Sequence, residues 1–79
     1  MFNLNRLDGD TIQIFGRVSG VATRCRFNGA HGYHVTISYI EGPRLHKVRT
    51  STPVFIPGSF TESQTLERIS ERITRLVAT

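Results

Sequence analysis

The chain has 79 residues, a formal net charge of +4 and a hydrophobic content of 38%. This length supports one domain with a small core, and the apolar content is too high for a disordered chain. The single cysteine, Cys25, excludes an internal disulfide and is typical of a reducing compartment. No apolar run reaches membrane-spanning length or resembles a signal peptide, so we expect a cytoplasmic protein without membrane contact.

The first ten residues predict either a loose arm or a short strand. They contain Phe2, Leu4 and Leu7 ahead of an Asp8-Gly9 turn signal. From residue 11 to residue 56 the chain alternates apolar and polar side chains, with glycine-rich and proline-rich interruptions. This pattern predicts a β-sheet in which each strand has one buried and one polar face.

The first hairpin is predicted to turn at Ser19-Gly20. This turn pairs Ile14 with Cys25, which points inward, and Phe15 with Arg24. The apolar residues of both strands then fall on one face, and a slip of one residue would destroy that agreement. The residues expected on the opposite, outer face include Phe15, Arg17, Arg24 and Arg26.

The third strand is predicted after a glycine-rich loop at residues 28–32. Pairing Phe27 with Tyr33 across this loop keeps the alternation of residues 33–40 in phase with the preceding strand. His34 then joins the arginines on the outer face.

A fourth strand is predicted at about residues 45–52. A four-residue loop before it pairs Ile37 with Val48. Leu45 and Val48 are out of phase, and a bulge in this strand would explain that. The cations that the strand adds to the outer face are Lys47 and Arg49.

From residue 61 the apolar spacing changes to that of a helix. Ile69 and Ile73 belong to one apolar stripe, which predicts a helix over residues 61–77 that covers the apolar face of the sheet. Thr61 and Gln64 have the spacing of a capping box at the start of this helix.

Together these elements predict a single α+β domain over residues 1–79. An antiparallel four-stranded meander within residues 11–56 would carry one C-terminal helix on one face. Residues 1–10 or the proline-fenced segment 53–57 would add a fifth strand at an edge. The core expected from this register consists of Ile12, Ile14, Val18, Val21, Cys25, Val35, Ile37, Leu66, Ile69 and Ile73.

The helix-free face is the predicted working surface because it is basic. Between Asp10 and Glu62 the chain carries one carboxylate, Glu41, against six cations. A basic sheet face favours a polyanion or an acidic protein surface. The residues expected to bind that partner are Phe15, Arg17, Arg24, Arg26, His34, Lys47 and Arg49.

We expect a non-enzymatic module that binds nucleic acid through this face, since phosphates would relieve the repulsion among the cations. The alternative is a small regulatory or inhibitory protein, of the type encoded by phages and mobile elements, that binds another protein or a nucleoprotein complex. For that alternative, an apolar edge at residues 54–56 offers strand pairing with a partner or a second copy. The competing interpretation is a basic face that serves only solvation.

Neither a metal site nor a catalytic centre is predicted. In this register Cys25 points inward and His34 outward, so the two cannot share a zinc ion. No nucleophile has a base and an orienting group beside it, and no carboxylate sits in an apolar pocket. We therefore expect no cofactor and no enzymatic activity.

Overall fold

The structure, a computed structural model, describes residues 2–78; Met1, at the start of the predicted N-terminal arm, and Thr79 lie outside the described residues. Within them, an antiparallel meander carries one C-terminal helix, which confirms the predicted α+β fold. The elements are β1 (Asn3–Arg6), β2 (Thr11–Phe15), β3 (Val18–Phe27), β4 (Ala30–Glu41), β5 (Arg44–Arg49), β6 (Val54–Phe55) and α1 (Glu62–Ala78).

The strands β1 to β5 lie side by side in chain order, and each pair is antiparallel. The short β6 pairs with β4 at Gly32 and Tyr33, next to the part of β4 that β5 occupies. One edge of the sheet is therefore β1, and β5 and β6 share the other. The N-terminal arm forms a strand, and the proline-fenced segment provides an edge strand.

The helix α1 lies on one face of the sheet and completes the core. Ile69 and Ile73 are fully buried, at 0% exposure. At its start the backbone N–H of Gln64 donates to Thr61 Oγ1 at 3.2 Å, and the N–H of Thr61 donates to Gln64 Oε1 at 2.9 Å, which confirms the capping box. The sheet residues buried in the same core are Ile12, Ile14, Val18, Ala22, Tyr33, Val35, Ile37 and Val54.

The facing of β3 is the main difference from the prediction. Ile12 pairs with Ala22 and Ile14 with Gly20, because β2 and β3 are joined at residues 16–17. Gly16 takes a φ of +127° there, a conformation that favours glycine. The predicted turn at residues 19–20 is wrong, and the even-numbered residues of β3 face α1.

The turn between β3 and β4 also differs from the prediction. Phe27 pairs with Ala30 across Asn28-Gly29, whose φ angles of +50° and +80° belong to a type I′ hairpin turn. The predicted loop at residues 28–32 is therefore too long by an odd number of residues. The wrong turn at residues 19–20 and the wrong loop length each exchange the two faces of the following strand. Their effects cancel in β4, whose apolar side chains face α1 as predicted, and only β3 is inverted.

The inversion of β3 makes the predicted core wrong at two positions. Val21 is 37% exposed and Cys25 is only half-buried, whereas Ala22 is fully buried. By composition the odd-numbered side of β3 is the more apolar, yet the register of a hairpin is fixed by its turn and loop length. The type I′ turn therefore determines which face of β3 is buried, although the side-chain composition favours the opposite face.

The pairing of β5 follows the prediction. Ile37 is opposite Val48, and the register continues without interruption through all six residues of β5. A bulge therefore does not explain why Leu45 is out of phase with Val48. Leu45 lies opposite Ile40, and both side chains are exposed, at 63% and 73%. Leu45 and Ile40 form an exposed apolar spot beside the turn between β4 and β5.

Candidate binding face

The sheet face opposite α1, which we call the outer face, is not covered by any element among residues 2–78. Its side chains come from the odd-numbered residues of β1, β2, β3 and β5, from the even-numbered residues of β4, and from Phe55 of β6. The large apolar side chains exposed on its strands include Phe15 at 39%, Val21 at 37%, Phe27 at 55% and Phe55 at 41%.

Two of these side chains form an aromatic pair. The ring centroids of Phe27 and Phe55 are 6.2 Å apart, and the ring planes are tilted by 52°. The β4 residues next to them are Ala30, opposite Phe27, and Gly32, opposite Phe55. Because these neighbours are small, both rings stay accessible and present surface to a planar partner.

The outer face carries two cations from β5. Lys47 lies opposite Ser38 and Arg49 opposite Thr36, as predicted, and both cations are exposed. Ser38 and Thr36 supply hydroxyl groups beside them that can donate and accept hydrogen bonds. This side of the face is therefore suited to anionic oxygen atoms.

Among residues 2–78, no Asp or Glu side chain lies on the outer face. The chain has six Asp and Glu residues, all of them within the described part. Two lie in the loop between β1 and β2, one faces the α1 side at the end of β4, and three lie on α1. These residues are Asp8, Asp10, Glu41, Glu62, Glu67 and Glu71.

The placement of Arg24 and Arg26 on the outer face is wrong, since the observed register turns both toward the α1 side. Arg24 Nη1 lies 3.5 Å from Asp10 Oδ1, and Nη2 lies 3.3 Å from His31 Nδ1. Arg26 is two residues further along β3, opposite His31, and so shares that side. The outer face is consequently less basic and more aromatic than predicted.

Of the other residues predicted to bind a partner, two lie on the outer face and one lies in a loop. Phe15 and His34 lie on the outer face, and His34 Nδ1 is buried without a hydrogen-bond partner. Arg17 lies in the loop between β2 and β3, beside a groove that Phe2 and Val77 also line. It is therefore at one end of the sheet and not among the strand cations.

On the α1 side, sequence reasoning missed a cluster around Arg6. Arg6 Nη1 donates to Tyr33 Oη at 3.0 Å and to the carbonyl of Gly9 at 3.1 Å, and the Tyr33 hydroxyl donates to the same carbonyl at 3.1 Å. Arg6 Nε lies 3.8 Å from Glu62 Oε1. These contacts join β1, β4 and α1. Because the cation lies beside a carboxylate, we assign the cluster to the stability of the fold.

The inward direction predicted for Cys25 is also wrong, since Cys25 shares the outer face with His34. Within residues 2–78, no three His, Cys, Asp or Glu side chains gather closely enough to hold a metal ion. In the same part of the chain, α1 lacks the length and apolar character needed to cross a membrane.

A scan against protein-family models, a search of curated proteins and a search of solved structures found no match to this chain. Function is therefore inferred from the surface itself.

Proposed function

We propose that the chain is a non-enzymatic module that binds single-stranded nucleic acid across the outer face. The observation that carries the proposal is the combination of exposed aromatic rings and two cations on a face to which the described part of the chain contributes no Asp or Glu side chain. Stacking of a base on an aromatic side chain contributes about 1–3 kcal/mol and tolerates any base. Lys47 and Arg49 would hold the phosphates, and Ser38 and Thr36 would add hydrogen bonds.

A single strand fits this face better than a duplex. The rings of Phe27 and Phe55 are 55% and 41% exposed and need unstacked bases to contact. A duplex keeps its bases stacked inside and offers mainly its phosphates, for which the outer face has two cations among the described residues, Lys47 and Arg49. We therefore expect weak duplex binding and stronger binding of single strands.

Reversing the charges of Lys47 and Arg49 should abolish most of this binding. A fluorescent twelve-nucleotide thymidine single strand is titrated by anisotropy at several salt concentrations, beside a twelve-base-pair duplex. Two phosphate contacts predict a slope of log K against log salt of about −1.4 for the single strand. In the double variant Lys47→Glu and Arg49→Glu the slope should approach zero, because both contacts are lost.

The matched control reverses two cations away from the outer face, Arg44→Glu and Arg75→Glu, with the same change in net charge. Arg44 lies on the α1 side of the β4–β5 hairpin end, and Arg75 lies in the last turn of α1. The control should keep most of the affinity. Failure of the unmodified protein to bind the single strand at low salt, or equal losses in the two variants, would refute the proposal.

The second candidate is a small regulatory or inhibitory protein whose outer face docks on another protein. The exposure of Phe15, Phe27 and Phe55 favours it, since aromatic side chains are enriched in protein interfaces. This candidate gains over the first if neither oligonucleotide binds at low salt. In that case, sedimentation of the protein alone would show whether the partner is a second copy.

A further inference from the structure

A groove of about 840 Å³ runs between the edge strand β1 and α1, on the α1 side of the sheet. Phe2, Leu4 and Leu66 line it with half-buried apolar side chains that pack on the core. Glu67 and Glu71 also line it from α1. The groove therefore combines an apolar floor with an acidic wall.

The strand β1 offers backbone groups along this groove. Among the described strands it pairs only with β2, so its other edge has unpaired N–H and C=O groups. Natural edges are commonly protected by lysine or proline, and residues 3–6 contain neither. The one charged side chain of β1, Arg6, is occupied by Tyr33 and Gly9. The edge is thus open to strand pairing.

The acidic wall follows from the way α1 is rotated on the sheet. Arg68 and Arg72 lie on the opposite flank of α1. Arg72 Nη2 lies 3.5 Å from Thr52 Oγ1, and Arg68 Cζ lies 5.3 Å from the ring centroid of Phe60. Glu67 and Glu71 are left facing the β1 edge. In a protein of net charge +4, this groove is lined by two carboxylates and, among the described residues, by no lysine or arginine.

We propose that this groove binds an extended peptide segment of a partner protein by strand addition to β1, and that the segment carries a lysine or arginine two residues from an aliphatic residue. An added strand lies about 4.8 Å from β1 and turns every second side chain to the same side. A side chain opposite Leu4 then reaches the apolar floor near Leu66. The next side chain on that side reaches Glu67 or Glu71, which are one helical turn apart.

A second copy of the chain fits the groove poorly. A two-fold pairing of β1 with itself would bring the Glu67 and Glu71 flanks of two helices toward each other. Like charges at such a contact are unfavourable and are left without cationic partners. Charge complementarity therefore selects a cationic peptide over self-association.

The test begins with a displayed library of random seven-residue peptides selected on the immobilised full chain. Enriched peptides should carry a cation two residues from an aliphatic residue. For an enriched synthetic peptide, Glu71→Lys should weaken binding by about 5- to 10-fold, since an exposed charge pair becomes a like-charge contact. The matched control is Glu41→Lys, which makes the same charge change at the end of β4. It should leave the affinity within about twofold, because an exposed charge outside the groove is largely screened.

Strand addition is tested separately by N-methylating one peptide residue at a time. Only alternate N–H groups of an added strand bond to β1. Methylation should therefore abolish binding at one set of alternate positions and leave it at the other set. The Lys47→Glu and Arg49→Glu variant should bind the peptide normally, because its substitutions lie on the outer face.

Three results would overturn the proposal. They are a library without enriched peptides or with enriched acidic peptides, equal weakening by the two lysine substitutions, and indifference to N-methylation at every position. None of these results bears on nucleic-acid binding by the outer face.

Discussion

Replacing Ile69 with alanine should lower the free energy of unfolding by about 2–5 kcal/mol. Ile69 is 0% exposed and belongs to the core cluster that α1 forms with β2 and β4. A chain of 79 residues is expected to have about 4–12 kcal/mol of total stability, so this loss is a large part of it. Urea unfolding followed by circular dichroism measures the change.

The matched control is Ile40→Ala, the same substitution at a side chain that is 73% exposed. It should change stability by no more than about 0.5 kcal/mol. If Ile69→Ala costs no more than Ile40→Ala, then α1 does not complete the core in the way the structure shows.

Replacing Gly20 with alanine should cost about 3 kcal/mol or more, because overpacking against backbone atoms has no easy relief. A Cβ at Gly20 would overlap the backbone carbonyl oxygen of Thr36 and lie 2.9 Å from the Cα of Ile37. Both atoms belong to β4, and β3 lies between β2 and β4, so neither strand can move without disturbing its neighbours. The expected result is a large fall in the melting temperature.

The control for Gly20 is Gly58→Ala, at a position where an added Cβ meets nothing within 4 Å and the backbone has no positive φ. This substitution should be neutral or stabilise by up to about 1 kcal/mol through the unfolded chain. Equal melting temperatures for the two variants would mean that β3 and β4 do not approach each other closely at Gly20.

The sequence predicts those elements whose apolar residues keep a strict period. Ile12 and Ile14 in β2, and Val35 and Ile37 in β4, leave no doubt about which side is buried. The stripe of α1 is equally clear. In contrast, β3 has its largest apolar residues on the exposed side and Gly20 and Ala22 on the buried side. Size and hydrophobicity therefore point to the wrong face of this one strand.

The information needed to place β3 is nevertheless present in the dipeptide Asn28-Gly29, the strongest short hairpin signal. With that turn, Phe27 and Cys25 fall on the outer face and Arg24 on the α1 side, as observed. In the sequence this dipeptide belongs to a longer glycine-rich segment, residues 28–32, which predicts a five-residue loop in place of the two-residue turn. The predicted pairing of Ile37 with Val48 places Lys47 and Arg49 correctly, although the turn before β5 has two residues, 42–43, and not the four predicted.

Other parts of the candidate site depend on contacts that no local pattern encodes. The proximity of Phe55 to Phe27 requires β6 to pair with β4 at Gly32, a contact between distant parts of the chain. The groove between β1 and α1 likewise depends on which flank of the helix faces the edge. Tertiary packing, and not residue spacing, creates both surfaces.

Chemical-shift mapping with the twelve-nucleotide thymidine strand tests most directly whether the outer face binds nucleic acid. The structure predicts the largest backbone amide shifts along β3 and β4 near Thr23 and Thr36, and side-chain shifts for Phe27 and Phe55, whose rings are exposed there. Shifts confined to α1 and to the surroundings of Arg24, with Phe27 and Phe55 unmoved, would place the binding on the helix-covered side and contradict the proposal.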